Sequence, residues 1–174
     1  MPFDIREALR SFDTEDHDME VKLGKSTHPV SDAEIKAFEA RVGAALPDAY
    51  KQFLSVHNGV RPETNIFRIS EVNDSGINGF IPLSQILRER ALIEHELPFH
   101  AIPIAWAEGG NYVCLDLDRA GTVFFWDHEE PEPITYLAET LEDFLNQLKR
   151  FDVSSIELKP GQVKSAWIDP SLLE

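Results

Sequence analysis

Between residues 102 and 126 three extended runs follow one another with only short turns between them. Ile102, Ile104 and Trp106 fall on one side of a first strand, and Glu108-Gly109-Gly110-Asn111 makes the turn after it. Val113, Leu115 and Leu117 then alternate with Tyr112, Cys114 and Asp116, the period of two that marks a strand half-buried on one face. Asp118-Arg119-Ala120-Gly121 turns the chain again, and Val123 to Trp126 forms a third strand. A turn this short cannot hold the crossover that joins parallel strands, so the runs pair as antiparallel hairpins. That excludes a doubly wound parallel sheet. Residues 134–138 add an edge strand to the same sheet.

Helices surround this block. Ser31 and Glu34 fit a capping box, with Val30 and Ile35 at the staple positions. Ile35, Phe38 and Val42 follow at helical spacing, and Gly43 suits the residue just past the helix end. Pro47 stands at the first turn of a second helix, where its missing N–H costs nothing. Tyr50, Phe53, Leu54 and His57 line one face of it, and Asn58-Gly59 ends it, both residues tolerating the left-handed conformation. Residues 31–59 thus read as a helical hairpin.

Between the hairpin and the sheet, Ile66, Phe67 and Ile69 suggest one short strand, Asn73-Asp74-Ser75-Gly76 a turn, and Gly79, Phe80 and Ile81 a second strand ending at Pro82. Ser84 is placed to cap a helix carrying Ile86, Leu87, Ala91 and Leu92, with Arg88, Glu89 and Arg90 facing outward. Thr140 and Asp143 signal a further helix start. The stripe Leu141, Phe144, Leu145 and Leu148 must pack on the sheet. The expected division is an acidic lead-in over 1–29, a domain over 30–150 and an extension over 151–174. In the lead-in, Phe3, Ile5, Leu9 and Phe12 hint at a short amphipathic segment before the run Asp13, Glu15, Asp16, Asp18 and Glu20. The extension carries a strand around Ile156 and Leu158, then a tail containing Trp167.

Of the 174 residues, 31 are acidic and 16 basic, a formal net charge of -15. Such a balance speaks against nucleic acid, whose phosphates need clustered Lys and Arg. No apolar run approaches the roughly 18 residues of a membrane span. The charged N-terminus, with Asp4, Arg6 and Glu7, does not read as a signal peptide. A cytoplasmic location follows as the expectation, and the single cysteine excludes an internal disulfide or a Cys-rich zinc site.

Catalytic chemistry is hard to place. Cys114 sits mid-strand, which suits a packed, inert thiol more than a nucleophile. Asp127-His128-Glu129-Glu130 has metal-binding residue types, but it follows a strand and precedes Pro131 and Pro133, as a solvated loop does. A metal-dependent enzyme built on Asp127, His128 and Glu129 is therefore the weakest of the readings open. His95 and His100 lack the companions of a zinc site. Gly109-Gly110 reads as a plain turn rather than a phosphate cradle. His57 reads as a satisfied core or cap histidine, and the run 13–20 lacks the glycine and spacing of a calcium loop. No cofactor is expected.

The assembled pattern resembles the SUKH superfamily, in its Smi/Knr-like branch of yeast cell-wall-synthesis regulators and bacterial toxin-immunity proteins. Carrying the resemblance are Ser31-Asp32-Ala33-Glu34-Ile35 with Phe38 and Glu39, Gly43 through Leu46-Pro47-Asp48-Ala49-Tyr50, Phe53-Leu54 and Asn58-Gly59. The second half contributes Ile102-Pro103-Ile104-Ala105, Gly109-Gly110-Asn111, Cys114-Leu115-Asp116, Gly121-Thr122-Val123, Phe125-Trp126-Asp127-His128-Glu129 and Phe144-Leu145. Val60 departs from the pattern, which often has a second glycine there. The resemblance covers roughly residues 30–150. It implies a single α+β domain whose mostly antiparallel or mixed sheet is flanked by helices. It also implies action by protein binding rather than catalysis, bacterial members often being immunity proteins that neutralise a cognate toxin. No catalytic or cofactor-binding residue carries over.

The acidic excess adds a direction to that expectation, since a field of this sign attracts cationic partners, a basic nuclease-like toxin among them. Generic solubility accounts for such an excess equally well. The acidic turn and loop residues Glu108, Asp127, Glu129, Glu130 and Glu132 are the candidate partner-binding residues. The alternative is an intracellular scaffold or regulator of the same fold without a toxin partner.

Overall fold

The computed structural model describes residues 21–151. The amphipathic segment at 3–12, the acidic run at 13–20, the strand around Ile156 and Leu158, and Trp167 lie outside the described residues. Two helices open the fold, α1 (Asp32–Val42) and α2 (Asp48–His57). Strands β1 (Ile66–Arg68) and β2 (Asp74–Phe80) follow, then helix α3 (Leu83–Ile93). After it come β3 (Ala101–Ala107), β4 (Tyr112–Asp116), β5 (Thr122–Trp126) and β6 (Ile134–Ala138), with α4 (Leu141–Asn146) at the end. The six strands form one sheet in sequence order, every neighbouring pair antiparallel. This is an α+β domain with an antiparallel sheet flanked by helices, and no helix among the described residues is long and apolar enough to cross a membrane.

The helical hairpin forms as its local signals dictate. The Ser31 side chain accepts from the Glu34 N–H while Glu34 reaches back to the Ser31 N–H, and Gly43 closes α1 with φ of 78°. Glu39 then ties the two helices together, its carboxylate accepting from the Leu46 N–H at 2.8 Å and pairing with Lys51 at 3.1 Å. At the end of α2 only Gly59 is left-handed. Asn58 works through its side chain instead. Its amide donates to the His28 carbonyl and accepts from the Leu83 N–H, joining the entering chain to the start of α3.

Aromatic contacts and register place the layers. Phe67 packs edge-on against Phe125 and Phe144, and Phe53 against Phe80, so α2 and α4 lie on one face of the sheet. Trp106, Tyr112, Trp126 and Ile134 form a row on the opposite face, because directly paired residues of an antiparallel sheet share a side. Helix α3 covers that face: its Glu89 carboxylate accepts from the Trp106 indole at 3.0 Å and the Tyr112 hydroxyl at 2.8 Å.

The second layer explains where the sequence misleads. All five residues of β4 are buried, rather than one alternate set, because helices cover both sides of the strand. Trp106 does not share a side with Ile102. A bulge between Pro103 and Ala105, where proline lacks the ladder N–H, shifts the register by one and turns Trp106 over. Leu117 belongs to a one-turn 3-10 helix beyond β4. Asp74, Ser75 and Gly76 are not a turn but the start of β2, and Ile69 falls outside β1. Helix α3 starts at Leu83 with Pro82 at the N-cap, and the side chain that serves its first N–H is that of Asn58 rather than Ser84. Arg88 faces outward and Leu92 is exposed, whereas Glu89 and Arg90 are half-buried and hydrogen-bonded; Arg90 donates to the carbonyls of Phe99 and Ala101.

One close approach fixes the hairpin on the sheet. At Gly121, which has φ of 85°, an added Cβ would stand 2.6 Å from Pro47 Cγ. Only glycine allows the β4–β5 turn to meet the loop between α1 and α2 in that conformation. The entering chain is tied down as well. The Ser26 N–H donates to the Val56 carbonyl, and His57 hydrogen-bonds the Gly24 carbonyl while its ring lies against Phe53.

Candidate functional site

Antiparallel order sends alternate connections to opposite ends of the sheet. The β1–β2, β3–β4 and β5–β6 connections share one end, and most of the acidic loop residues are on it. Glu108, Glu129, Glu130 and Glu132 are exposed and Asp127 is half-buried. Among the described residues none of the five forms an ion pair.

Two contacts gather these residues. Asn111, in the β3–β4 turn, accepts from the His128 N–H at 3.2 Å and contacts its ring Nδ1 at 2.7 Å, which locks the turn to the β5–β6 loop. The Glu108 side chain lies over β2, where a Cβ at Gly76 would meet its Oε1 at 3.0 Å. Within the loop, the Asp127 carboxylate accepts from the Glu129 N–H at 3.0 Å, so Asp127 shapes the turn that presents Glu129 and Glu130. Sequence reasoning missed two acids at this end, Glu71 and Asp74, because only the strand order brings the β1–β2 connection beside the other two. Asp74 is matched by Arg68 at 3.7 Å, whereas Glu71 has no such partner among the described residues.

The other candidates are dispersed. Cys114 is fully buried, and burial pushes its thiol pKa well up, which makes it a poor nucleophile. His128 is engaged by Asn111. His100 pairs with Asp118 at 2.7 Å at the opposite end of the sheet, and His95 is exposed beside Glu94. Gly109 and Gly110 have φ of 75° and 83° and form a turn. Among the described residues no group of three or more His, Cys, Asp and Glu side chains could hold a metal ion.

Two further features are not local in sequence. A groove of about 980 Å³ runs between the entering chain, α1 and the start of α3, with Phe38, Leu83 and Leu87 on its floor and Lys25, His28 and Arg41 around it. In the sheet, the Trp126 indole N–H is buried without a hydrogen-bond partner, one strand in from Ile134.

Comparison with known proteins agrees with this architecture. The chain is 26% identical over 140 residues to the SPbeta prophage-derived uncharacterized protein YokK of Bacillus subtilis (strain 168), an alignment covering 66% of this chain and 72% of that relative. The model of the SMI1 / KNR4 family (SUKH-1) matches residues 29–147, which span both helices of the hairpin, the whole sheet and α4. The chain belongs to the SMI1 / KNR4 family (SUKH-1).

Proposed function

We propose that this chain is a non-enzymatic protein-binding domain of the immunity type, which acts in the cytoplasm by docking onto a cognate basic toxin and blocking it. The observation that supports this reading most is the acidic end of the sheet, where Glu108, Glu129, Glu130 and Glu132 project from loops fixed by the Asn111–His128 contact and form no ion pair among the described residues. Carboxylates with no cation of their own are available to basic side chains around a toxin's active site, and they speed association as well as fix register. Family membership favours the same class of action. We take residues 30–150 as the binding domain, with 1–29 and 151–174 as appendages to it.

Co-purification with the toxin encoded beside this gene, followed by calorimetry, tests the proposal. A complex of defined stoichiometry that protects against the toxin is expected. Charge reversal at Glu129, Glu130 and Glu132 together should weaken it by about tenfold or more, with a smaller loss at higher salt. Absence of any complex with a neighbouring toxin, or a complex indifferent to both salt and charge reversal, would overturn it.

A further inference from the structure

We infer that the outer edge of β6 is a docking edge for an extended, cationic segment of a partner protein, which adds as a seventh strand. The inference rests on the protein-binding reading above and says where and how the partner is held.

Strand β6 is the last strand of the sheet, and nothing among the described residues pairs with its outer side. The Asp127 N–H donates to the Pro133 carbonyl at 2.8 Å, which makes 127 and 133 a hydrogen-bonded pair. Pairs alternate along an antiparallel ladder, so Thr135 bonds to Phe125 while the N–H and C=O groups of Ile134 and Tyr136 point away from β5. Ile134 and Tyr136 are also 43% and 55% exposed, large apolar side chains on an open edge. Sheet proteins ordinarily blunt such an edge with lysine, proline or an inward-pointing charge. Between Ile134 and Ala138 there is none of these.

The charge around the edge selects the occupant. Residues 120–148 contain no Lys or Arg and seven carboxylates, Glu129, Glu130 and Glu132 before β6 and Glu139, Glu142 and Asp143 after it among them. Desolvation first, and the charges of Glu139 and Asp143 after it, hold the Tyr136 phenol above its ordinary pKa. A strand laid along β6 thus meets carboxylates at both ends, and one flanked by Lys or Arg is matched at both. A second copy of this chain is disfavoured, because antiparallel pairing of two β6 strands would bring Glu132 of each toward Glu139 of the other. The described residues end at the opposite edge of the sheet, beside β1. Lys149 bridges Ile66 on β1, at the far edge of the six-stranded sheet, roughly 24 Å away at ~4.8 Å per strand.

The test uses the ¹⁵N-labelled full chain and the synthetic peptide acetyl-KKVTVTVKK-amide, with acetyl-EEVTVTVEE-amide as its control. The cationic peptide should shift the amide signals of β6 and slow hydrogen exchange at Ile134 and Tyr136, and the control should do neither. Tyr136→Pro removes an outward donor without touching a β5–β6 bond, and Glu132→Lys with Glu139→Lys reverses the flanks. Each should weaken peptide binding by about tenfold. If Tyr136→Pro fails to fold, the double reversal and the exchange footprint decide. A footprint on another surface, equal binding of the control, or binding unchanged in the folded variants would overturn the inference. So would slow exchange at Ile134 and Tyr136 in the free chain, which would mean the edge is already occupied. Should a cognate toxin bind without protecting those two amides, the edge assignment fails while the binding reading stands. Peptide binding at β6 with no toxin complex gives the reverse.

Discussion

Glu89 is the residue whose role is least visible in the sequence. Flanked by Arg88 and Arg90, it reads as one more charge on a solvated helix face, and nothing local announces that Trp106 and Tyr112 will meet it from two different strands. Its carboxylate satisfies two donors at once, and hydrogen bonds to a charged acceptor are the stronger kind. Glu89→Ala would strand the buried Tyr112 hydroxyl and free the Trp106 indole, so a loss of about 2–3 kcal/mol in urea unfolding is expected, with Glu89→Gln losing distinctly less. The tyrosines add a pH signature. Burial first, and the Glu89 contact second, push the Tyr112 pKa from 10.0 up to about 12, and burial raises Tyr50 as well. Because the folded state holds these protons more tightly than the unfolded chain does, their contribution to stability is complete below pH 10. It is lost as pH climbs toward 12. Unfolding midpoints measured from pH 8 upward should therefore fall above about pH 10, and less steeply in Tyr112→Phe.

Among the elements, legibility tracks how local the determinant is. The hairpin of α1 and α2 could be read because a capping box, a staple and two glycines lie within a few residues of the turns they govern. The start of β2 could not, because Asp74-Ser75-Gly76 has turn-forming side chains and becomes strand only by pairing with β1. Helix α3 shows the same limit from the other side. Its first N–H, that of Leu83, is served by Asn58, 25 residues back, and not by Ser84. The capping box carries its own prediction. Ser31→Ala should cost about 1 kcal/mol in denaturant unfolding at neutral pH. Glu34, whose pKa is lowered by the Ser31 backbone N–H and then by its hydroxyl, adds stability above the ordinary glutamate range that disappears as pH falls below it. The difference between Glu34→Gln and the parent chain should accordingly shrink on acidification, which a denaturation series from pH 7 down to about pH 3 would show.

For the whole molecule, charge and topology act together. The acids at 108 and 127–132 were legible one by one as loop residues, but only the order of the strands sends their loops to one end of the sheet, and only Asn111 joins them to each other. Residues 134–138 were legible as an edge strand, but the exposure of Ile134 and Tyr136 was not, since it depends on which described residues fail to cover them. A net charge of -15 on 174 residues also has a cost. Repulsion among unpaired carboxylates opposes the compact state, and it is felt over the Debye length, about 30 Å at 0.01 M ionic strength and about 8 Å at 0.15 M. Added sodium chloride should therefore raise the melting temperature of the free chain over that range, most of the gain arriving before 0.15 M. Sulfate would confuse the reading, because it strengthens apolar burial by a separate route. The same screening should slow association with a cationic partner and leave its dissociation rate nearly unchanged. Opposite responses to one salt, stability rising while association slows, would tie both effects to the same carboxylates. A melting temperature flat across the range would show instead that the acids are too dispersed to repel, and the argument for steering would fall with it.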